Sequence, residues 1–248
     1  MIRLTGRVDT KNLQMPDLST YPHYQAYVSN VKDFLVAEKD IRRTINRALR
    51  SNNQLTVQVQ TKIYALLYST FSEANFMKMI LTPHGFEQQY LNEIIRQNSI
   101  REKWYKCLEL AFIRFSSSQK GSEVPNKIQN LKRIVDSHIV DPSLLRNKIA
   151  HGQLTVALNR TNTSLNTELT LELQNINVIK VYRWFEVNKR LCSIIEDLIE
   201  SPNIAHYNNY YTKYQQLEIF INKSETWTIA SKMSTPSMSK KLRHASPQ

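Results

Sequence analysis

The clearest helical pattern in the chain is QLTVQVQTKIYALLYSTFSEANFMKMIL, residues 54–81. Apolar and small side chains recur there at intervals of three and four residues, the spacing of one face of an α-helix. The members of this stripe are Val59, Ile63, Leu66, Leu67, Thr70, Phe71, Ala74, Met77 and Leu81. Pro83 and Gly85 follow directly and end the pattern. We therefore expect a long amphipathic helix here.

The same periodicity on either side of this helix predicts a helical bundle. A polar N-terminal arm ends near Pro22, and Ser51-Asn52-Asn53 separates the first two helices. The further helices are predicted at residues 24–50, 86–116 with a break near Asn98-Ser99, 124–138, 175–200 and 207–222. Residues 116–122 read as a loop, and Pro202 is expected to end the helix before it.

A small β-hairpin is expected within this bundle. A short helix should begin after Pro142, with Ser143 as its N-cap, and should end at Gly152. Residues 154–158 and 169–173 alternate in the manner of strands, and residues 159–167 between them are rich in turn-forming side chains. The predicted fold class is thus an all-α bundle with a β-hairpin insertion at about residues 154–173.

The chain divides into an arm at residues 1–22, a helical domain at residues 23–223 and a flexible tail at residues 224–248. The tail is basic and contains Ser and Pro, and its last part, residues 231–248, reads as disordered.

Composition excludes several classes of protein. Four glycines in 248 residues argue against glycine-rich phosphate loops and nucleotide-binding turns. Cys107 and Cys192 stand far apart without a CxxC spacing, so neither a disulfide framework nor a zinc site is expected. The sequence has no apolar run long enough for a membrane span and no secretory signal pattern at its start. We expect a cytoplasmic protein without metal or cofactor.

The net charge favours a polyanionic partner. It is +12, with a pI of about 9.7, and each phosphate that a cation neutralises releases condensed counterions. A soluble domain that is merely basic explains the composition equally well.

The candidate chemistry lies in RNKIAHG, residues 146–152. Arg146 carries a permanent cation, Asn147 an amide and His151 a titratable imidazole, a set that can bind a phosphate and move a proton without a metal. In an ideal helix positions five apart point about 140° away from each other, whereas Asn147 and His151, four apart, share a face. The alternative is structural: Arg146 pairs with a carboxylate such as Asp141 or Glu73, Asn147 stabilises a turn and His151 caps the helix C-terminus.

The motif resembles that of the HEPN superfamily, small helical domains of prokaryotic toxins, defence systems and RNA-processing factors. The signature is an arginine, usually a polar residue after it, and a histidine after four to six positions, which Arg146, Asn147 and His151 match. The segment after the motif and the helix that follows are similar to a prokaryotic HEPN subgroup with an insertion at this point. The likeness extends over residues 24–222.

The resemblance implies a homodimer that acts as an endoribonuclease or binds RNA, with the two motifs facing each other across one cleft. His151 would serve as general base or acid, Arg146 would hold the phosphate, and Asn147 would orient the imidazole or a phosphate oxygen. The chemistry is transesterification by the 2′-hydroxyl, so the product is a 2′,3′-cyclic phosphate and DNA is spared. An antitoxin or defence-system partner protein is a further implied partner.

Three other residues are candidates for a supporting role. Glu73 lies in the predicted helix at residues 54–81 and could orient Arg146 or His151, although such a carboxylate is commonly solvated. Lys148 is a surface cation that could touch the RNA backbone. Arg183 precedes Trp184 and Phe185, which could stack on a base but at helical spacing are more often core or interface.

Three functions remain open on the sequence. The first is a metal-independent ribonuclease, the second a non-catalytic HEPN-like module that binds RNA or a protein, and the third a helical dimerisation scaffold with incidental charge. The presence of both Arg146 and His151 favours the first.

Overall fold

The computed structural model describes residues 21–113, 123–200 and 209–234, and this part of the chain is all-α. The helices are α1 Tyr21–Arg50, α2 Gln54–Ile80, α3 Gln88–Ile95, α4 Ile100–Ile113, α5 Glu123–Val135, α6 Asp141–Ala150, α7 Thr167–Asn175, α8 Val178–Glu200, α9 Tyr210–Glu225 and α10 Ile229–Ser234. A π-helical turn, Asp136–Val140, joins α5 to α6.

α1 and α2 form an antiparallel hairpin, the most extensive helix pair of the described chain. Asn52 takes a positive φ of 54° in the turn, and the Asn53 side chain accepts a hydrogen bond from the Thr56 amide at 3.0 Å. Asn tolerates the left-handed conformation and caps helices well. The predicted break at residues 51–53 is confirmed.

The buried side of α2 differs from part of the predicted stripe. Tyr64, Tyr68 and Phe71 are the side chains that face the core, whereas Val59 is 47% exposed and Ile63 is 42% exposed. α2 is apolar around most of its circumference, so its periodicity alone does not select the side that packs inward.

α8 crosses this side of α2 and completes one half of the core. The Phe185 ring lies 5.1 Å from that of Tyr64 and 4.8 Å from that of Phe71, measured between ring centroids. A second half of the core gathers α3, α4, α5 and α9 around the other ends of α2 and α8, with Trp104 fully buried against Phe76. Burial of these aromatic rings supplies much of the hydrophobic stabilisation. Cys107 and Cys192 are free and buried in this half.

The motif helix α6 does not start with the predicted cap. Helical geometry runs unbroken from α5 through the π turn into α6, and the Ser143 hydroxyl donates to the Val140 carbonyl at 2.6 Å instead of capping. Pro142 lacks the N–H that would bond the carbonyl four residues earlier, that of His138. The Tyr68 hydroxyl donates to this carbonyl at 2.5 Å, so the proline is accommodated without a helix break.

The predicted β-hairpin at residues 154–173 is wrong, because neither residues 154–158 nor residues 169–173 form a strand. Residues 169–173 belong to α7, and within the described residues the segment keeps only an isolated antiparallel bridge between Leu158 and Leu165. Asn166 caps α7 by accepting from the Leu169 amide at 2.9 Å. Leu169, Leu171 and Leu173 alternate at intervals of two, but Leu169 and Leu173 are also four apart and so share a helix face. The cap at Asn166 favours the helix.

The remaining boundaries shift by a few residues. The break between α3 and α4 falls at residues 96–99, as predicted, while α9 begins at Tyr210 rather than residue 207. Ile229–Ser234 is helical although it lies in the predicted flexible tail. The predictions for residues 1–20, the loop at 116–122, Pro202 and the end of the tail fall outside the described residues.

Candidate functional site

The last turn of α6 places His151 at the exact end of the helix. The Gln153 amide donates to the Lys148 carbonyl at 2.9 Å, and the Gly152 amide donates to the Ile149 carbonyl at 3.1 Å. These are the two bonds of a Schellman cap, which needs a left-handed residue just past the helix. Gly152 provides it with a φ of 80°, as the sequence predicted.

Two side chains of α2 bind the Arg146 guanidinium. Its Nε donates to Ser69 Oγ at 2.9 Å, and its Nη2 donates to Glu73 Oε1 at 2.5 Å. The Arg146 side chain is 33% exposed and the Glu73 side chain is 56% exposed, so the ion pair itself adds little stability. A guanidinium has five N–H donors in a fixed plane. The two bonds therefore fix its orientation and leave other N–H groups for a ligand.

His151 lines a large open cleft. The cleft has a volume of about 1050 Å³ and is lined on the helix side by Leu144, Asn147, Lys148 and His151. His151 is exposed, and its ring makes no hydrogen bond to any residue of the described ranges. The imidazole is thus open to a ligand that enters this cleft.

Asn147 lies between Arg146 and His151 and contributes to the cavities of both. It lines the His151 cleft and also a cavity of about 120 Å³ that holds Arg146, Ser69 and Glu73. Arg146 and His151 themselves line different cavities. This agrees with the angle expected for positions five apart on a helix.

Lys148 connects the motif helix to the loop that faces it. Its Nζ donates to the Leu158 carbonyl at 2.5 Å. Arg160 lies on the same loop, lines the His151 cleft and is exposed. The Lys148 ammonium therefore also serves to hold this loop in place. Arg160 adds to the cleft a cation that was not among the residues selected from the sequence.

Arg183 is not part of this site. Its Nε donates to Ser224 Oγ at 2.9 Å, its Nη2 lies 3.7 Å from Glu225 Oε1, and it lines neither cavity. Trp184 and Phe185 are buried, which confirms the core interpretation and leaves no ring for a base. Burial, with a contribution from the positive charge of Arg183, lowers the pKa of His138 to about 4.

Ser69 is the contact of Arg146 that the sequence did not lead us to expect. It precedes Glu73 by four residues, so both side chains lie on one face of α2. A search for polar partners around Glu73 at helical spacing would have found it. Of the two carboxylates considered for Arg146, Glu73 rather than Asp141 is bound.

Comparisons of the chain with family models, curated proteins and solved structures each give no match. The resemblance to the HEPN superfamily thus depends on the sequence alone, on the motif residues and the helical layout predicted around them. No helix in the described ranges has the length and apolar character of a membrane span. In those same ranges no three His, Cys, Asp or Glu side chains gather as metal ligands would.

Proposed function

We propose that this protein is a metal-independent endoribonuclease of the HEPN type, which cleaves RNA by 2′-hydroxyl transesterification in a site shared by two copies. The observation that carries the proposal is the pairing of an oriented guanidinium with an exposed imidazole at the end of one helix. Arg146 is aligned by Ser69 and Glu73, and His151 opens into the large cleft.

Arg146 binds the scissile phosphate in this mechanism. Its charge is permanent, and its planar N–H groups match two phosphate oxygens. Negative charge builds up on those oxygens as the 2′-oxygen attacks, so a prealigned cation stabilises the transition state more than the ground state. Ser69 and Glu73 are positioning residues because they hold the plane of the guanidinium.

His151 handles the protons, because histidine is the side chain that titrates near neutral pH. One imidazole takes the proton of the 2′-hydroxyl as the 2′-oxygen bonds to phosphorus. The bond from phosphorus to the 5′-oxygen breaks, and the imidazole of the second copy gives that oxygen a proton. The products are a 2′,3′-cyclic phosphate and a 5′-hydroxyl, and Asn147 orients an imidazole or a phosphate oxygen by hydrogen bonding.

A second copy completes the site because Arg146 and His151 of one copy line different cavities. The exposed face of α2 offers a surface for it. Leu55, Val59 and Ile63 are exposed there at intervals of four residues, and the same face continues through Leu66 and Thr70 to Glu73 at the motif. A two-fold axis on this face would bring the two motifs to one cleft.

The resemblance also supplies the proposed cellular setting. A ribonuclease of this kind would act in the cytoplasm, in a toxin–antitoxin pair or in anti-phage defence, with an antitoxin or defence protein as partner.

A second candidate function is a non-catalytic HEPN-like module that binds RNA or a protein. The observation that favours it is the ion pair of Arg146 with Glu73, since a guanidinium engaged by a carboxylate has less charge to offer a phosphate.

The test is incubation of RNA with the protein in EDTA. Wild type should cleave and leave 2′,3′-cyclic phosphate ends, and a substrate with 2′-deoxyribose should stay intact. Arg146→Ala and His151→Ala should each lower the rate by about 100-fold or more. Arg96→Ala and His23→Ala are matched controls, because both residues are exposed and line neither cavity.

Three outcomes separate the hypotheses. Cleavage lost in both motif variants and kept in both controls supports the ribonuclease. RNA binding without cleavage in the wild type overturns it in favour of the binding module. A wild type that neither binds nor cleaves RNA overturns the ribonuclease and the RNA-binding module, and favours the helical scaffold.

A further inference from the structure

Five cations lie along one exposed face of α1. They are Lys32, Lys39, Arg43, Arg47 and Arg50, all of them exposed. Their spacings are seven, four, four and three residues, so at about 100° per residue they fall within an arc of about 80°. With a rise of 1.5 Å per residue, the row is about 27 Å long. We call this row the α1 basic face.

The three carboxylates of α1 do little to neutralise the α1 basic face, and the exposed Asp33 forms no ion pair with any residue of the described ranges. Glu38 is only 4% exposed and turns inward, where it accepts from the Tyr64 hydroxyl at 2.8 Å and pairs with Arg42 at 2.6 Å. Asp40 pairs with Arg43 at 2.9 Å, but both side chains are largely exposed, so this pair is weak.

The other four cations of the face have no ion pair with any residue in the described ranges. Because Glu38 turns inward, its negative charge lies on the buried side of α1. The outer side therefore carries mainly positive charge.

The described chain ends beside α1. The guanidinium of Arg42 lies over the Tyr182 ring at 4.7 Å, and the ammonium of Lys232 in α10 lies 5.7 Å from the same ring. The sequence that follows α10 contains Lys240, Lys241 and Arg243 and no Asp or Glu.

We propose that the α1 basic face binds the phosphate backbone of single-stranded RNA as a second site, separate from the motif. None of its cations lines either motif cavity. Its row of exposed cations complements a phosphodiester chain in charge and in length, whereas it offers few groups that could read bases. The choice of RNA as the polyanion rests on the proposed function, but the face itself does not depend on catalysis.

The physical signature of such a site is its salt dependence. For a single strand, log K falls with log salt concentration with a slope of about 0.7 per neutralised phosphate. Loss of four phosphate contacts should therefore reduce the slope by about 3. At 0.1 M salt the same relation weakens binding by on the order of 10²- to 10³-fold.

The experiment measures binding of a 2′-O-methyl RNA, which the proposed chemistry cannot cleave, by fluorescence anisotropy at several salt concentrations. The test variant of the full chain is Lys32→Gln, Lys39→Gln, Arg47→Gln and Arg50→Gln combined. The control variant combines Arg96→Gln, Lys103→Gln, Arg133→Gln and Lys223→Gln. Both variants lose four positive charges, so they differ only in where the charge is removed.

We expect the slope to fall by about 3 in the test variant and by less than about 1 in the control. Equal losses in both variants would mean that net charge alone drives binding, and an unchanged test variant would mean that RNA does not contact this face. Either result overturns the proposal. So does a test variant that keeps RNA binding but loses binding to vesicles with anionic headgroups, because the face would then be a membrane contact.

The result is separable from the fate of the ribonuclease proposal. Arg146→Ala and His151→Ala should keep the wild-type salt slope for the 2′-O-methyl RNA to within about one phosphate contact. A wild type that binds with the expected slope but never cleaves RNA would refute the ribonuclease and leave the α1 basic face standing.

Discussion

Replacement of Asn188 by Ala should be among the most destabilising single changes in the molecule. Asn188 is fully buried on α8, and its amide joins α8 to α2. The Asn188 Oδ1 accepts a hydrogen bond from Asn75 Nδ2 at 2.8 Å, and the Asn188 Nδ2 donates to Ser72 Oγ at 2.9 Å. Ser72 also lines the Arg146 cavity. This network therefore fixes the position of α2 where α2 holds Arg146.

The magnitude follows from the groups that Asn188→Ala leaves behind. Asn75 and Ser72 are each 5% exposed, so each would keep a buried polar group without its present partner. A buried group left unsatisfied costs about 1–3 kcal/mol. The Ser72 hydroxyl can rotate toward the carbonyl of the preceding turn, which lowers its share. Together with the cavity, the loss should be about 3 kcal/mol in the free energy of unfolding.

Urea unfolding followed by tryptophan fluorescence measures this loss, because Trp104 and Trp184 are 0% and 5% exposed and enter water on unfolding. Asn30→Ala is the matched control on the exposed side of α1 and should change stability by less than about 0.5 kcal/mol. An Asn188→Ala protein within about 0.5 kcal/mol of wild type would refute the reasoning, since the network would then contribute no net stability.

Three further changes test other parts of the structure. Gly152→Ala should cost about 1 kcal/mol on urea unfolding, since φ is 80° but a Cβ would meet no atom within 4 Å; a loss above about 3 kcal/mol would contradict this. The pKa of His138 is about 4 in the folded protein against an ordinary value of 6.5, so the unfolded chain binds the extra proton between these values. The free energy of unfolding should therefore fall as pH is lowered through that window, and less so in His138→Gln; parallel pH profiles of the two proteins would refute the assignment. Val59→Asp should turn the proposed dimer into a folded monomer, as measured by sedimentation, because it places a charge on the exposed face of α2. A variant that dimerises as strongly as wild type would exclude that face as the interface.

The helical bundle was predictable because its long helices bury stripes of regular spacing. α1, α2 and α8 were each found to within a few residues on this ground. The π turn before α6 was not predictable, because it depends on a hydroxyl from Tyr68, seventy residues away in the sequence, that bonds the carbonyl freed by Pro142. The strand expected at residues 169–173 failed because its alternation also fits a helix once Asn166 caps it.

The candidate site was predictable mainly where its residues are neighbours in sequence, although the Glu73 partner of Arg146 was one of the two carboxylates considered. Arg146, Asn147 and His151 were selected together, and the Gly152 cap was predicted correctly. The bonds of Arg146 to α2 join residues more than seventy positions apart, so local spacing did not decide between Glu73 and Asp141 as its partner. The contacts of Arg183 with α9 are equally distant in sequence, and they place it away from the motif cavities.

A 1:1 mixture of wild-type and His151→Ala proteins, unfolded together and refolded in EDTA, tests the central claim most directly. Random pairing makes half of the dimers mixed and leaves a quarter of them with two wild-type copies. If one cleft needs the imidazoles of both copies, only that quarter cleaves, so the rate should be about a quarter of the wild-type rate at the same total protein concentration. A rate of about half, in proportion to the wild-type copies, would contradict a site built from two copies of the motif.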